Sequence, residues 1–350
     1  MTRKIIRKAF LFILVYVLIT AAVCADDETR TGDFDSLAFI DFQGYTYRAS
    51  STLESQGFPA LGTYGMHTIF DGSRYTGWSE GVEGNGTGEV LWIQIDDGTD
   101  TLLVRNGFAR NAELFDKNNR VRSFDVSLWS AFLPAGMVSE YGPLYAVSPI
   151  GNSVTLDLED SMPLQEFTLP FEYTEARKIR GQLKNSFPEY AEKNDLPPHI
   201  EESAFLLRIE ITSVYQGSAW DDTCINELRC FDSANFKPFE LESMNGALGY
   251  RTSSRGWRAL YAQEDVLYDP YILSPDGRWC VAFTAPAETE GRVETGYALF
   301  HLPYPEIYRH RTFDEALASG KLPLDFELRD GTIHLLFDDG SSIKPGGREK

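Results

Sequence analysis

The sequence predicts an all-β fold: a β-sandwich or jelly roll over residues 38–235, carrying a short helical insertion, and then a small β-rich domain over 236–350. Three observations carry this prediction. Short apolar runs with period-two alternation recur along the chain, Gly, Asn and Asp turns separate them, and helical periodicity is nearly absent. Aromatic residues make up 13% of the chain, which suits half-buried strands or a carbohydrate-facing surface.

Residues 1–25 stand apart from that pattern. The basic start MTRKIIRK leads into an apolar run from Ala9 to Ala25, with small residues around Cys24 before Asp26. This is the layout of a secretory signal peptide, and the run is short for a membrane span. Export with cleavage is the expectation and an uncleaved N-terminal anchor the alternative; Val23 fits poorly before a lipid-modified Cys24. Residues 26–37 form an acidic, polar lead-in. The chain carries a net charge of −20; removing the four basic residues of 1–25 leaves 28 basic against 52 acidic, a balance of −24. Such a surface excludes nucleic acid, whose affinity rests on Lys and Arg neutralising phosphates. It suits solubility outside the cell and cation binding.

The strands follow in order. One or two short strands are expected in the aromatic stretch from Phe39 to Leu53, then Val90 to Ile95, and Leu102 to Val104 ending in the Asn106-Gly107 turn. Asp116 to Asn119 reads as a polar turn before an alternating strand from Val121 to Trp129, with further strands around 153–158 and 166–170. Thr174 opens a short helix with Ile179 and Leu183 on one face, limited by Pro188. Phe205, Leu207, Ile209 and Ile211 alternate as the buried side of a clean strand, and Cys224 to Phe231 closes the domain. Beyond residue 236, two hairpins surround Ser274-Pro275-Asp276-Gly277-Arg278 and Arg329-Asp330-Gly331-Thr332. These resemble propeller blades, but about 110 residues are too few for a closed propeller of four blades of roughly 40 residues.

Three cysteines follow residue 25: Cys224, Cys230 and Cys280. Cys224 and Cys230 lie in one strand, roughly 20 Å apart when extended, beyond the roughly 7 Å that a disulfide spans. A bridge from either to Cys280 is left open.

The most informative stretch is Thr68 to Glu89, TIFDGSRYTGWSEGVEGNGTGE. It is too irregular for a helix and too polar for a buried strand, so it reads as a shaped loop that binds an ion, a ligand or both. Asn85-Gly86-Thr87 also fits the N-glycosylation pattern, a weak signal on its own.

Phe70-Asp71-Gly72 followed by Thr76-Gly77-Trp78 resembles the opening loop of galactose-binding-like jelly rolls of the discoidin, or coagulation factor 5/8 type C, kind. Trp78 to Gly81, Gly86 to Glu89, Asn106 to Phe108, Asn118 to Arg120 and Asp222 to Glu227 recur in the order of one branch of that family. It is the branch named after the translocation domain of a secreted bacterial NAD glycohydrolase, and the resemblance covers about residues 45–232. The longer connection at 174–203 departs from the pattern, and residues 236–350 have no counterpart in it.

The resemblance implies a non-catalytic module that binds glycan-type ligands through loops at one end of the sandwich. It also implies a structural calcium ion held by Asp71, Thr76 and Glu227 with loop carbonyls, and Asp222 as an outlying candidate; calcium takes six to eight oxygens. The plain alternative has Asp71 capping the turn and Glu227 facing solvent beside Ile225 and Arg229. For the ligand, Trp78, Glu80, Asn106, Asn119 and Arg120 are the candidates: an aromatic face packs against sugar C–H groups, and the polar groups bond hydroxyls. The alternative makes Trp78 a core residue and pairs Glu80 with Arg120 across two loops. Trp92, Trp129 and Trp279 sit within strands and read as core.

Catalytic signatures are missing. The five histidines are scattered outside any metal-ligand spacing, and neither a G-x-S-x-G elbow nor a phosphate-binding loop occurs. The expectation is an exported, non-enzymatic glycan-binding protein with calcium as a structural ion. The alternatives are a cell-envelope module that contacts another protein and, further off, a secreted hydrolase.

Overall fold

The structure is a computed structural model that describes residues 38–43, 45–53, 63–236, 240–252, 256–287 and 295–346. The expected signal peptide, the polar lead-in and Cys24 lie outside the described residues. The chain is mostly β, and its first part is the expected sandwich.

One sheet runs β1 (Ala38–Asp41), β7 (Leu144–Asp157), β6 (Asn119–Pro134), β9 (Ile200–Tyr215), β4 (Val90–Ile95), β2 (Tyr47–Ala49), all antiparallel. The facing sheet runs β3 (Trp78–Ser79), β10 (Thr223–Phe231), β5 (Thr101–Asn106), β8 (Gln165–Thr168). A two-pair parallel contact, Thr223 with Asn119 and Cys224 with Arg120, joins the two sheets at one end. The core lies between them. Phe205, Leu207, Ile209 and Ile211 enter it from β9 in the predicted alternation, and meet Leu102, Val104, Ile225 and Leu228 of the other sheet.

The helical insertion is longer than predicted. The helix α2 (Tyr173–Lys193) follows a helix α1 of about a turn and a half (Ala112–Lys117), whose last two residues overlap the turn expected at Asp116 to Asn119. Thr174 is not its cap, which is Glu172 without a side-chain bond, and Pro188 lies inside the helix rather than at its end. An internal proline costs about 3 kcal/mol. Leu183, Phe187 and Ala191, spaced four apart, are buried against Phe132 and Ala146. Burying a Leu or Phe side chain stabilises by roughly 1.5–3 kcal/mol each, enough to offset the proline.

Residues 240–343 form three successive three-stranded antiparallel meanders. They are β11 (Glu240–Met244), β12 (Ala247–Thr252), β13 (Gly256–Tyr261); β14 (Val266–Leu273), β15 (Trp279–Pro286), β16 (Gly296–His301); and β17 (Pro323–Arg329), β18 (Thr332–Phe337), β19 (Ser342–Ile343). Both predicted hairpins form, with positive φ at Gly277 and at Asp330 and Gly331. The helix α3 (Arg311–Ala318), absent from the sequence reading, packs Phe313 and Ala316 inward. The middle sheet is covered on both faces. Cys280 and Ala282 pack toward the first sheet, while Trp279 and Val281 pack toward the third.

Cys224, Cys230 and Cys280 are all free thiols, which closes the disulfide question. Burial pushes the thiols of Cys224 and Cys280 up to about 12, so neither is reactive at neutral pH. Among the described residues, no helix is long and apolar enough to cross a membrane.

Candidate functional site

The opening loop splits into two environments. Its first half is enclosed. The Asp71 carboxylate accepts from the Thr76 hydroxyl at 2.8 and 3.0 Å and from the Ser73 amide at 2.8 Å. The C-terminal domain lies directly over it: the Ala262 amide donates to the Gly72 carbonyl at 3.0 Å, and Ser73 bridges Ala262. Gly72 has φ +71, and a Cβ there would lie 2.7 Å from the Leu260 backbone, so only glycine fits this seam.

On the facing strand, a bulge between Ile225 and Glu227 shifts the period of β10. Ile225 and Leu228, three apart, therefore both enter the core. Glu227 and Arg229 turn to the other face, which the opening loop and the C-terminal domain cover. Glu227 is fully buried and pairs with Arg229 at 2.7 Å. This overturns the alternative that placed Glu227 in solvent. Burial pushes its carboxyl up to about 8, against the opposing pull of Arg229 and Arg105.

Of the residues nominated for calcium, Asp71 and Thr76 are thus engaged with each other, and Glu227 faces Arg229. The extra residue of the bulge, Asn226, donates its amide to the carbonyls of Ser73, Arg74 (3.2 Å) and Thr76, and Arg229 donates to the Phe70 carbonyl at 3.2 Å. The loop carbonyls that an ion would use face N–H donors, and a guanidinium supplies the positive charge beside Glu227. Among the described residues, Asn226 Oδ1 and the two carboxylate oxygens of Glu227 have no hydrogen-bond partner there, although Glu227 Oε1 lies 2.7 Å from the Arg229 guanidinium. As arranged, Asp71 and Thr76 bond each other and Glu227 faces Arg229; among the described residues, no cluster of three or more His, Cys, Asp or Glu side chains could hold a metal. Asp222 lies apart from this corner, in the loop before β10, where burial raises its carboxyl pKa.

The five nominated ligand residues are also enclosed. Trp78 is 0% exposed and donates its indole N–H to the Ser51 carbonyl at 3.0 Å, so it has no ring face to offer. Glu80 is buried and accepts from the amides of Val82 (2.7 Å) and Thr223 (3.3 Å); burial raises its pKa. Gly86, at φ +68, passes so close that a Cβ would lie 2.6 Å from the Glu80 side chain. Asn106 bonds both the amide and the carbonyl of Val121, tying the end of β5 to β6. Asn119 spans the 216–222 loop, accepting from Gly217 and donating to the Asp221 carbonyl, both at 2.6 Å. Arg120 does not pair with Glu80. It grips Asp160 bidentately at 2.9 and 2.7 Å and donates to the carbonyls of Asn118, Gln216 and Asp116.

These side chains therefore brace loops, and two of them, Asn119 and Arg120, brace the loop that carries Trp220. Trp220 is 44% exposed at the sandwich end. Its amide donates to the Lys117 carbonyl at 2.9 Å, the Lys117 ammonium lies 5.4 Å from its ring centre, and Gln216 bonds Asp221 beside it at 2.7 Å. The sequence carried a signal for this residue, a tryptophan set among Gly217, Ser218, Asp221 and Asp222 where no strand could bury it. Trp92 and Trp279 are buried, as predicted, and Trp129 packs edge-on against Trp92 at 5.0 Å.

A two-sheet jelly roll, with braced loops at one end and an opening loop locked onto its last strand, defines a discoidin-like module. Residues 43–138 match the family described as NAD glycohydrolase translocation F5/8 type C domain. No curated protein matches the chain. Among solved structures, the chain is similar to the arabinofuranosyltransferase AftD from Mycobacteria at 12% identity, with 69% of this chain, 16% of that one and a TM-score of 0.29. A mutant form of the same enzyme gives 13% identity, 70% and 18% coverage, and a TM-score of 0.24. The chain thus spans under a fifth of their length, and scores this low carry no argument about it.

Proposed function

We propose that this is an exported, non-catalytic binding module that recognises a glycan at the Trp220 loop face. The observation that carries the reading is an exposed tryptophan held on loops fixed by two buried side chains, Asn119 and Arg120. Immobilising an aromatic face before binding removes part of the ordering cost, and Gln216, Asp221 and Lys117 stand beside the ring to bond hydroxyls. Export follows from the expected signal peptide and from the family of the sandwich domain. The opening corner is closed by Arg229 and Asn226, and this reading invokes no calcium there.

A second reading, contact with a protein partner of the cell envelope, is favoured by apolar exposure on β14 and β17, where Leu273, Leu324 and Leu328 face out. A glycan array on the mature chain and Trp220→Ala separates the two. Binding by the wild type and its loss in the variant supports the glycan face. Binding that survives the change removes Trp220 from the site, and an array with no signal favours the protein partner.

A further inference from the structure

A second site is built where the two domains meet, away from Trp220. A cleft of about 270 Å³ opens between the 158–164 loop of the sandwich and the segment after β16, lined by Pro163, Leu164, His301, Tyr304, Glu306 and Arg309 among others. Domain junctions are favoured places for ligand sites, and this volume falls just below the roughly 300 Å³ at which pockets for drug-sized ligands begin. It suits one or two sugar rings rather than a large cofactor.

The walls are fixed from both sides. Trp279, His301 and Tyr304 form a continuous ring stack, with centroids 4.2 and 5.1 Å apart and planes within 19° and 21°. The Tyr304 hydroxyl donates to Glu166 of the sandwich at 3.1 Å, and Glu306 receives the buried Arg105 at 2.9 Å. Arg120, through Asp160, anchors the loop that carries Pro163 and Leu164. Rings held this firmly make a platform for the apolar face of a sugar.

Arg309 gives the cleft its charge preference. It is exposed, and among the described residues it has no hydrogen bond or ion pair. The same arginine also lines a second cleft of about 170 Å³ that includes Tyr268 and Tyr297, so it stands on the ridge where the two spaces adjoin. Glu306, the carboxylate beside it, is already answered by Arg105. In a chain with a net charge of −20, an unpaired guanidinium between two aromatic-lined clefts is set to receive an oxyanion.

We infer that the junction between the sandwich and the C-terminal domain binds an acidic oligosaccharide, with a sugar ring against Tyr304 at the end of the stack and a carboxylate or sulfate on Arg309. This site goes beyond the Trp220 face and does not depend on it.

The test is calorimetric titration of the mature chain with trigalacturonate, its neutral methyl ester, and a sulfated heparin-derived tetrasaccharide. The free acid or the sulfated sugar should bind, and the ester at least about tenfold more weakly, the loss of one charge-assisted contact. Arg309→Gln, an exposed change that leaves the fold intact, should lower acidic-sugar affinity by a similar factor, while Trp220→Ala leaves it unchanged. Which oxyanion binds distinguishes uronic from sulfated glycans. Equal binding of ester and acid, unchanged affinity in Arg309→Gln, or no binding of either acidic sugar at millimolar concentration would overturn the proposal.

Discussion

The corner at Asp71–Glu227 and the loop face at Trp220 are built from the same kinds of residue, yet they have opposite fates. Each has carboxylates, an asparagine that bonds loop carbonyls, an arginine and a nearby tryptophan. At the corner, the C-terminal domain and the opening loop close over the polar groups, and Trp78 is sunk in the core. At the loop face nothing covers Trp220, and the asparagine and arginine work beneath it. The lesson is that polar residues in a binding-type pattern can serve either as the ligand surface or as its scaffold. Which role they take depends on what packs over them.

Substitutions should separate the two regions by the size of their effect on stability. Trp78→Ala and Glu227→Leu should each cost about 3–5 kcal/mol in chemical denaturation. The first leaves a large cavity, and the second sets an apolar side chain against the buried Arg229 guanidinium in place of the carboxyl. Trp220→Ala should stay within about 0.5 kcal/mol, as exposed positions do. A corner variant as mild as Trp220→Ala would erase the distinction drawn here.

Arg120→Ala should fall between them, at about 2–3 kcal/mol, because it frees the buried end of an ion pair and several carbonyls together. It should also weaken glycan binding although Arg120 itself is enclosed. Normal binding in a folded Arg120→Ala protein would show that bracing is not needed.

The corner should also carry a pH signature that the loop face lacks. The folded-state pKa of Glu227 is raised by burial from 4.5 to about 8. Its contribution is therefore fully present below about 4.5 and is lost as pH rises through about 8. The unfolding midpoint of the wild type should fall across that window, and Glu227→Gln should flatten the slope. A slope of opposite sign would mean that Arg229 and Arg105 outweigh burial. The smallest expected effect is that of calcium: the melting temperature should be the same in excess calcium and in chelator, and a rise with calcium would show that Arg229 and Asn226 give way to an ion.

Much of the fold could be read from sequence because it rests on local signals. The Val90–Ile95 and Phe205–Ile211 strands follow from alternation, and the Asp-Gly turns from the backbone conformations they allow. Local signals failed where packing outweighed propensity. Pro188 predicts a stop, yet the helix runs on because Phe187 and Ala191 on either side of it are buried. β11 and α3 have apolar patterns too short to predict them, and these become meaningful only against neighbouring sheets.

The candidate site was legible in residue type and not in role. The sequence by itself determined the jelly roll, the change of character near residue 236 and the set of polar residues clustered at the loops. Only the tertiary structure decided which of those residues are scaffold. One extra residue at Asn226 turns Glu227 to the covered outer face, and Ala262, 189 residues beyond Ser73, covers the loop carrying Asp71. Period and propensity act over a few neighbours, whereas desolvation is set by whatever the fold brings within contact distance.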